Sequence, residues 1–176
     1  MQGAGFLPRK VGRAMLRRLR TQDLAAFQAY RQDPHVGLYQ SWSPMSQSEA
    51  LAFINEMAVA NLFEPGVWAQ LAIARAEDSS LVGDLGLLVA EDCEHAELGF
   101  TVSPAAQGQG YGSAAVAEAI RLLFEQTAVR QVVGITDARN IASVRLLERV
   151  GMSRVESRET VFKGEPCTEW VYAKER

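Results

Sequence analysis

The sequence predicts one α+β domain in which helices pack on a mixed β-sheet. Its 176 residues, 48% of them apolar, can bury a core without metal or disulfide staples. The residue pattern gives a strand, two helices, three strands, a helix, a strand, a helix and two strands. Because this order departs from a regular alternation of strand and helix, it indicates a mixed sheet of about seven strands with about four helices.

The first elements of the chain are a leader, a strand and a helix. Residues 1–12 are expected to form a flexible basic leader, and residues 13–176 form the single domain. The first strand covers residues 15–20. Thr21 is expected to cap the following helix, whose apolar residues recur at helical spacing and which ends before Pro34.

An irregular segment, residues 34–44, separates the first helix from the second. It carries two aromatic residues, Tyr39 and Trp42. The second helix begins at a predicted capping box, in which the side chains of Ser46 and Glu49 each accept a hydrogen bond from the other residue's backbone N–H. The apolar residues that follow, at helical spacing, indicate a face that packs on the sheet.

The second half of the chain contains the remaining strands and two more helices. Strands are expected over residues 67–75, 81–90, 96–102, 130–136, 155–162 and 168–173. A long helix follows the third of these strands, and its apolar residues fall at the positions i, i+3, i+4 and i+7: Val116, Ala119, Ile120 and Leu123. A short helix over residues 141–150 ends at Gly151, a typical helix stop signal.

Composition and charge exclude several classes of function. A net charge of −3 argues against a nucleic-acid binder, which needs a dense basic field for its phosphate contacts. The longest apolar run, residues 85–90, is too short to span a bilayer, and no apolar stretch follows the basic start as it does in a signal peptide. We therefore expect a cytoplasmic protein with neither a nucleic-acid nor a membrane partner.

The cysteines and histidines are too few and too scattered for a metal site. Cys93 and Cys167 lie far apart in the sequence, without a CxxC pair or a nearby histidine at ligand spacing. We expect two reduced thiols and no metal. A catalytic triad would have to use His35 or His95, and no GxSxG turn is present to display a serine.

The most informative segment, residues 97–113, reads ELGFTVSPAAQGQGYGS. It is a strand, a loop with Gly108, Gly110 and Gly112, and the start of the long helix. Alternate glycines remove the Cβ atoms that would block close approach, so backbone N–H groups and the positive helix end can surround a phosphate. A flexible turn is the plain structural alternative.

Two common phosphate-binding motifs do not fit this loop. A P-loop requires a lysine followed by serine or threonine, and the loop contains no lysine. A dinucleotide-binding loop is favoured by Asp137 at the end of the next strand, but its third glycine would fall at Ser113. Only 39 residues follow Asp137, too few to complete a doubly wound sheet.

The loop resembles a different family. Residues 107–112 match the Q/R-x-x-G-x-G/A signature of the GNAT superfamily of acetyl-CoA-dependent N-acetyltransferases. A second block resembles the superfamily's segment after the next strand: Asn140, Ser143, Leu146, Glu148, Gly151 and Met152. The resemblance extends over residues 16–174 and is strongest to the branch of ribosomal-protein N-terminal acetyltransferases and small-amine acetyltransferases. It implies an α/β/α arrangement around a mostly antiparallel sheet, and an acyl-CoA N-acyltransferase domain.

The resemblance also implies a set of cofactor-binding residues. Backbone N–H groups of the loop would bind the coenzyme A pyrophosphate, together with Ser113; the loop residues are Gln107, Gly108, Gln109, Gly110, Tyr111 and Gly112. The strand residues Phe100, Thr101 and Val102 would pair with the pantetheine arm, where this strand and the strand over residues 130–136 splay apart. Asn140 would bind the same arm and Ser143 would lie near the sulfur. The structural alternatives are a helix cap for Asn140 and a small residue on a crowded helix face for Ser143.

Glu97 is the candidate general base for such a reaction. Amine acetylation needs a free amine, and partial burial on this strand can raise the pKa of Glu97 toward the working pH. A solvated glutamate on a polar strand face is the alternative, and Glu94 and Asp84 are further candidate acids. Many members of the superfamily carry a tyrosine acid where this chain has Leu147. Protonation of the leaving thiolate is therefore expected from Ser143, a water or the departing amine proton.

The expected reaction is direct transfer of acetyl to a primary amine, on a small molecule or a peptide N-terminus, in a ternary complex. A domain that binds acyl-CoA without catalysis and acts through a protein partner is the alternative. Tyr39 and Trp42 are expected to line the acceptor site, with pinning of the loop to the core as the other interpretation of Trp42. Trp68 and Trp170 lie within predicted strands and are expected in the core. A monomer or a homodimer is expected.

Overall fold

The computed structural model describes residues 5–176 and has an open eight-stranded sheet in this range. The strands are β1 (Arg9–Val11), β2 (Ala14–Arg17), β3 (Trp68–Arg75), β4 (Leu81–Val89), β5 (His95–Val102), β6 (Gln131–Asp137), β7 (Ser153–Phe162) and β8 (Glu165–Glu175). The helices are α1 (Leu24–Arg31), α2 (Pro34–Gly37), α3 (Gln47–Val59), α4 (Tyr111–Gln126) and α5 (Ile141–Arg149). The predicted mixed α+β fold is confirmed.

The spatial order of the strands is β1-β2-β3-β4-β5-β6-β8-β7, and every pairing is antiparallel except that of β5 with β6. Helix α4 packs on one face of the sheet, through buried residues that include Val116, Ala119 and Leu123. The other face is covered by α1 and α3, with Phe27 and Ile54 fully buried. The sheet therefore lies between two helical layers.

Strand β1 is an element that the sequence pattern did not indicate. Its three residues pair with β2 at the edge of the sheet, within the segment expected to be a leader. Arg9 holds this strand to α4, because its guanidinium donates to Glu118 at 2.9 Å and also pairs with Glu125. One of the positive charges in this segment, that of Arg9, is therefore held in ion pairs with α4. Residues 1–4 lie outside the described residues.

The start of α1 differs in detail from its prediction. Thr21 lies in a single 3₁₀ turn, Thr21–Asp23, and its side chain does not cap the helix. The Asp23 carboxylate accepts from the backbone N–H of Arg20 at 2.8 Å, and it also forms a buried ion pair with Arg17. A charged acceptor with a buried arginine partner makes stronger hydrogen bonds than a threonine hydroxyl. By contrast, the predicted capping box at the start of α3 is confirmed.

The sheet opens between β5 and β6. These parallel strands are paired from His95 and Gln131 as far as Leu98 and Gly134. Beyond that point each strand continues without the other, β5 to Val102 and β6 to Asp137. The ends of β5 and β6 therefore splay apart and leave a gap beside the glycine loop that precedes α4.

Candidate active site

Two cavities flank the gap between β5 and β6. The first, of about 430 Å³, extends along the glycine loop, the start of α4 and one side of α5. The second, of about 270 Å³, lies between the irregular segment after α2, strands β5, β6 and β8, and the tip of the β7–β8 hairpin. We call them the loop cavity and the strand cavity.

The glycine loop presents backbone to the loop cavity. Gly108 and Gly110 have positive φ angles of 73° and 87°, and a Cβ at either position would meet no atom within 4 Å. Gly110 is the N-cap residue of the 16-residue helix α4, with no side chain capping the first turn. The free N–H groups and the helix dipole thus meet in an open concave surface, which is an anion-binding arrangement.

Gly112 has a different role from the other two glycines. A Cβ there would stand 2.8 Å from Leu146 Cδ1 and 3.2 Å from Val102 Cγ2. This glycine therefore allows α4 to approach α5 and β5 closely. Its backbone still lines the loop cavity.

The side chains of the loop mostly brace the loop itself. Gln107 Nε2 donates to the Val102 carbonyl at 3.0 Å, and Gln109 Nε2 donates to the Ala105 carbonyl at 2.7 Å. Gln107 lines the loop cavity and Gln109 is not among its lining residues. Tyr111 is buried, and its hydroxyl accepts from Arg75 at 2.8 Å.

Two arginines at the loop cavity were missed by the sequence reasoning. Arg145 and Arg149 lie four residues apart on α5 and both line this cavity with Ser113. Arg149 Nη1 approaches Ser113 Oγ at 3.4 Å. The i, i+4 spacing of two arginines just after Asn140 is the sequence signal that could have found them.

Five residues line both cavities: Tyr39, Gln40, Phe100, Asn140 and Ser143. The two cavities therefore meet at this junction. Asn140 caps α5, since its Oδ1 accepts from the Ser143 N–H at 3.3 Å, so the cap interpretation holds while the residue also faces both cavities. Gln40, which the sequence did not single out, donates from Nε2 to the Phe100 carbonyl at 3.2 Å.

Glu97 is half-buried in the wall of the strand cavity. Burial raises the pKa of its carboxyl above the ordinary value, and the negative charge of Glu169 raises it further. His95 and Arg158 act in the opposite direction. Among the other candidate acids, Asp84 is 1% exposed and bound to Tyr30, Arg31 and Gln70, while Glu94 is exposed beside Arg130.

Aromatic residues form part of the strand cavity. Tyr39 lines it together with Phe162 and Trp68. The prediction that Trp68 lies in the core is wrong, because Trp68 is 45% exposed at the first position of β3. Trp170 does pack against the core, with the Arg154 guanidinium 4.2 Å from its ring centroid.

Trp42 lines neither cavity in the described part of the chain. Its ring lies 4.5 Å from the Arg31 guanidinium, and its Nε1–H donates to Thr101 Oγ1 at 3.3 Å. The indole thereby fixes the segment after α2 to the sheet. This placement fits the pinning interpretation of Trp42.

Two further residues that line the strand cavity, Asp137 and Cys167, are titratable. Asp137 accepts from Arg139 through both carboxylate oxygens, and these hydrogen bonds lower its pKa. Cys167 is buried in the cavity wall. Burial raises the pKa of its thiol, and the negative charge of Asp137 raises it further.

Leu147 is 1% exposed and packs beside Gly134. No hydroxyl therefore stands where many members of the superfamily carry a tyrosine.

In residues 5–176 no helix is long and apolar enough to cross a membrane. The same range holds no group of three or more side chains arranged to bind a metal ion.

The chain has curated relatives that carry acetyltransferase names. It is 27% identical over 143 residues to the uncharacterised N-acetyltransferase YnaD of Bacillus subtilis. The matched stretch covers 81% of this chain and 80% of YnaD. A shorter stretch of 64 residues is 36% identical to FsC-acetyl coenzyme A-N(2)-transacetylase of Aspergillus fumigatus. That stretch covers 36% of this chain and only 27% of the fungal protein.

Solved structures share the fold. A GNAT acetyltransferase from Bacillus anthracis superposes with a TM-score of 0.83 at 20% identity, covering 94% of this chain and 96% of the other. RimL, a ribosomal alpha-N-protein acetyltransferase bound to coenzyme A, superposes with a TM-score of 0.79 at 17% identity, covering 94% of this chain and 95% of RimL. Spermidine N-acetyltransferase from Vibrio cholerae, bound to coenzyme A and spermine, superposes with a TM-score of 0.79 at 18% identity, covering 94% of this chain and 96% of the other.

A family model described as "Acetyltransferase (GNAT) domain" matches residues 13–153, which include the glycine loop, the splayed strands and the junction residues. This match agrees with the sheet order and with the solved structures. The chain therefore belongs to the GNAT acetyltransferase domain family.

Proposed function

We propose that this protein transfers acetyl from acetyl-CoA to a primary amine by direct attack in a ternary complex. The observation that carries the proposal is the meeting of the two cavities at the end of the splayed strands. One cavity offers an anion-binding loop, and the other offers a half-buried carboxylate whose pKa is raised. Two substrates that enter from opposite sides can react where the cavities join.

The loop cavity is the proposed acetyl-CoA site. The N–H groups of residues 108–112 at the start of α4 would hold the pyrophosphate, and the exposed guanidinium groups of Arg145 and Arg149 add positive charge beside them. The backbone N–H of Gln107, also expected in this role, already donates to the Pro104 carbonyl at 3.3 Å. Residues 100–102 of β5, which have no strand beside them on the β6 side, would pair with the pantetheine arm, while the carbonyls of Phe100 and Val102 are bound by Gln40 and Gln107. The named relatives, and the solved structures that hold coenzyme A, support this choice of acyl donor.

The strand cavity is the proposed acceptor site. Acetyl-CoA supplies an activated thioester. Glu97 would accept the proton of the incoming ammonium, so that the neutral nitrogen can attack the carbonyl carbon while the carbon–sulfur bond breaks. The nitrogen that has attacked carries a second proton that it must lose as the amide forms, and the Ser143 hydroxyl at the junction would relay this proton to the leaving sulfur. Tyr39 would form one wall for the amine, and Trp42 would hold the segment that carries Tyr39.

Release of free thiol from acetyl-CoA tests the proposal. The purified protein is incubated with acetyl-CoA and a panel of primary amines and N-terminal peptides, and acetylated products are identified by mass spectrometry. We expect amine-dependent thiol release. If the protein binds coenzyme A but no acceptor in the panel causes thiol release, the proposed enzymatic activity is contradicted. That result would favour a non-catalytic acyl-CoA-binding module.

A further inference from the structure

The charged residues that line the strand cavity are all acidic. Among its lining residues are three carboxylates, Glu97, Asp137 and Glu169, and neither lysine nor arginine. Arg139 neutralises Asp137 through two hydrogen bonds of 3.0 and 2.8 Å. The side chains of Glu97 and Glu169 are half-buried, and within residues 5–176 neither has an ion-pair or hydrogen-bond partner. Two negative charges in the wall therefore stand without a partner.

These two charges affect each other. The pKa of Glu97 is raised by the charge of Glu169 as well as by burial. The two residues that lower the pKa of Glu97, His95 and Arg158, do not line the cavity, and the Arg158 guanidinium lies 3.6 Å from the Glu156 carboxylate. Half-buried carboxylates without a counter-ion are costly, and a cationic ligand would offset that cost.

The aromatic walls of the same cavity suit such a ligand. Trp68 is left 45% exposed in the wall, and within residues 5–176 no cation lies over its ring. Phe162 and Tyr39 also line the cavity, and their ring centroids already lie 5.3 Å from Lys163 Nζ and 5.7 Å from the Arg139 guanidinium. The faces of aromatic rings attract ammonium groups and also pack against methylene chains. The lining is thus matched to a molecule that is apolar in the middle and positively charged, and a volume of about 270 Å³ suits a small molecule.

The two glutamates approach the cavity from different strands. Glu97 on β5 is opposite Val133 of β6, and Glu169 on β8 is opposite Asp137, four residues further along β6. Taking about 3.3 Å per residue and about 4.8 Å per strand spacing, their backbones are about 16 Å apart along the sheet. They are therefore placed to meet different atoms of one elongated ligand.

We infer that the acceptor is a small aliphatic diamine, and that Glu169 determines this specificity by binding the ammonium group that does not react. The inference rests on the proposed acetyl transfer, in which Glu97 receives the proton of the reacting amine. The bond that forms and the bond that breaks are those of the proposed function. Glu169 takes no proton and acts only by holding the second charge.

The test compares diaminobutane with butylamine, which has the same carbon chain and one ammonium group fewer. We expect kcat/KM for diaminobutane to exceed that for butylamine by about tenfold or more, the size of a charge-assisted hydrogen bond in a half-buried site. Glu169→Gln should remove this preference by raising KM for diaminobutane about tenfold more than KM for butylamine. Its effect on the pKa of Glu97 acts on both amines alike, so the ratio of the two kcat/KM values isolates the loss of the second binding contact. Glu165→Gln, which removes one exposed charge from the same strand outside the cavity, is the matched control and should retain the preference.

The possible failures are distinguishable. If no amine or peptide supports thiol release, the proposed function fails and this inference falls with it. If both amines are acetylated equally well, or if Glu169→Gln weakens both to the same degree, acetyl transfer stands and the diamine specificity is overturned. A peptide N-terminus preferred over both amines would likewise overturn it, while leaving the transferase intact.

Discussion

Arg31 and Asp84 form a buried ion pair beneath the segment that carries Tyr39. Their atoms Nη2 and Oδ1 are 2.7 Å apart, and the side chains are 5% and 1% exposed. The ion pair joins α1 to β4, and Trp42 stacks on the guanidinium. The position of the segment after α2 therefore depends on a charge pair inside the domain.

Asp84→Asn should destabilise the protein strongly. The amide would leave the Arg31 guanidinium buried without a counter-charge, which costs about 3–5 kcal/mol. Urea unfolding followed by circular dichroism measures the free energy of unfolding. Glu94→Gln breaks an exposed pair with Arg130 at 3.4 Å and should cost at most about 1 kcal/mol. Equal effects of the two substitutions would contradict the structural role of Asp84.

Gly110→Val should abolish coenzyme A binding. The residue has a φ of 87°, and a branched side chain there would extend into the open surface where the pyrophosphate is proposed to approach the backbone. Titration calorimetry with coenzyme A on the folded variant gives the affinity. Gly164→Val is the matched control, since Gly164 has a φ of 81° in the β7–β8 turn, outside the loop cavity. Unchanged affinity in Gly110→Val would refute the assignment of the loop.

Gly112→Val should lose coenzyme A affinity together with stability. Its side chain would collide with Leu146 and Val102, which pack α5 and β5 against the start of α4. We expect a fall in thermal midpoint for this variant larger than for Gly110→Val. A Gly112→Val protein with the parent's thermal midpoint would show that this close approach is not needed for packing.

Glu97→Gln should lower turnover by about 10² to 10⁴ while coenzyme A affinity stays near that of the parent. The pKa of Glu97 is raised from 4.5, so the parent's activity should fall as the pH drops through that raised pKa and the base becomes protonated. The variant should lack this acid limb and recover in part at high pH, where more of the amine is neutral. A pH profile parallel to that of the parent would exclude Glu97 as the base.

Replacing both cysteines by alanine should leave turnover within a few-fold of the parent. Burial raises the pKa of the Cys167 thiol, so it stays protonated at neutral pH and is a weak nucleophile although it lines the strand cavity. Cys93 is exposed and lines neither cavity. Steady-state assays measure the effect. An acetylated cysteine trapped by mass spectrometry would contradict direct transfer.

The features that were predicted from the sequence are those with local causes. The spacing of apolar residues in α4, the capping box of Ser46 and Glu49, and the glycine loop are each encoded within one turn or one helix. Their physical reasons, helical periodicity and backbone geometry, act between near neighbours in the chain.

The features that were missed depend on contacts between distant segments. Glu169 and Trp68 become cavity residues only because β8 and β3 reach the splayed strands. Gln40 matters because it meets the Phe100 carbonyl, 60 residues away. Strand β1 is too short to show a pattern, and Arg9 finds its partners in α4. None of these pairings leaves a periodic signal in the sequence.

The gap between β5 and β6 makes one edge of β5 incomplete in the middle of the sheet. Beyond Leu98, the backbone groups that face β6 have no ladder partner there; the carbonyls of Phe100 and Val102 are bound instead by the side chains of Gln40 and Gln107. Amide hydrogens of residues 99–102 on that side should exchange with solvent faster than those of residues 95–98. Coenzyme A, bound as an additional strand-like arm, should slow this exchange, so the least protected part of the central sheet is where ligand binding adds most protection.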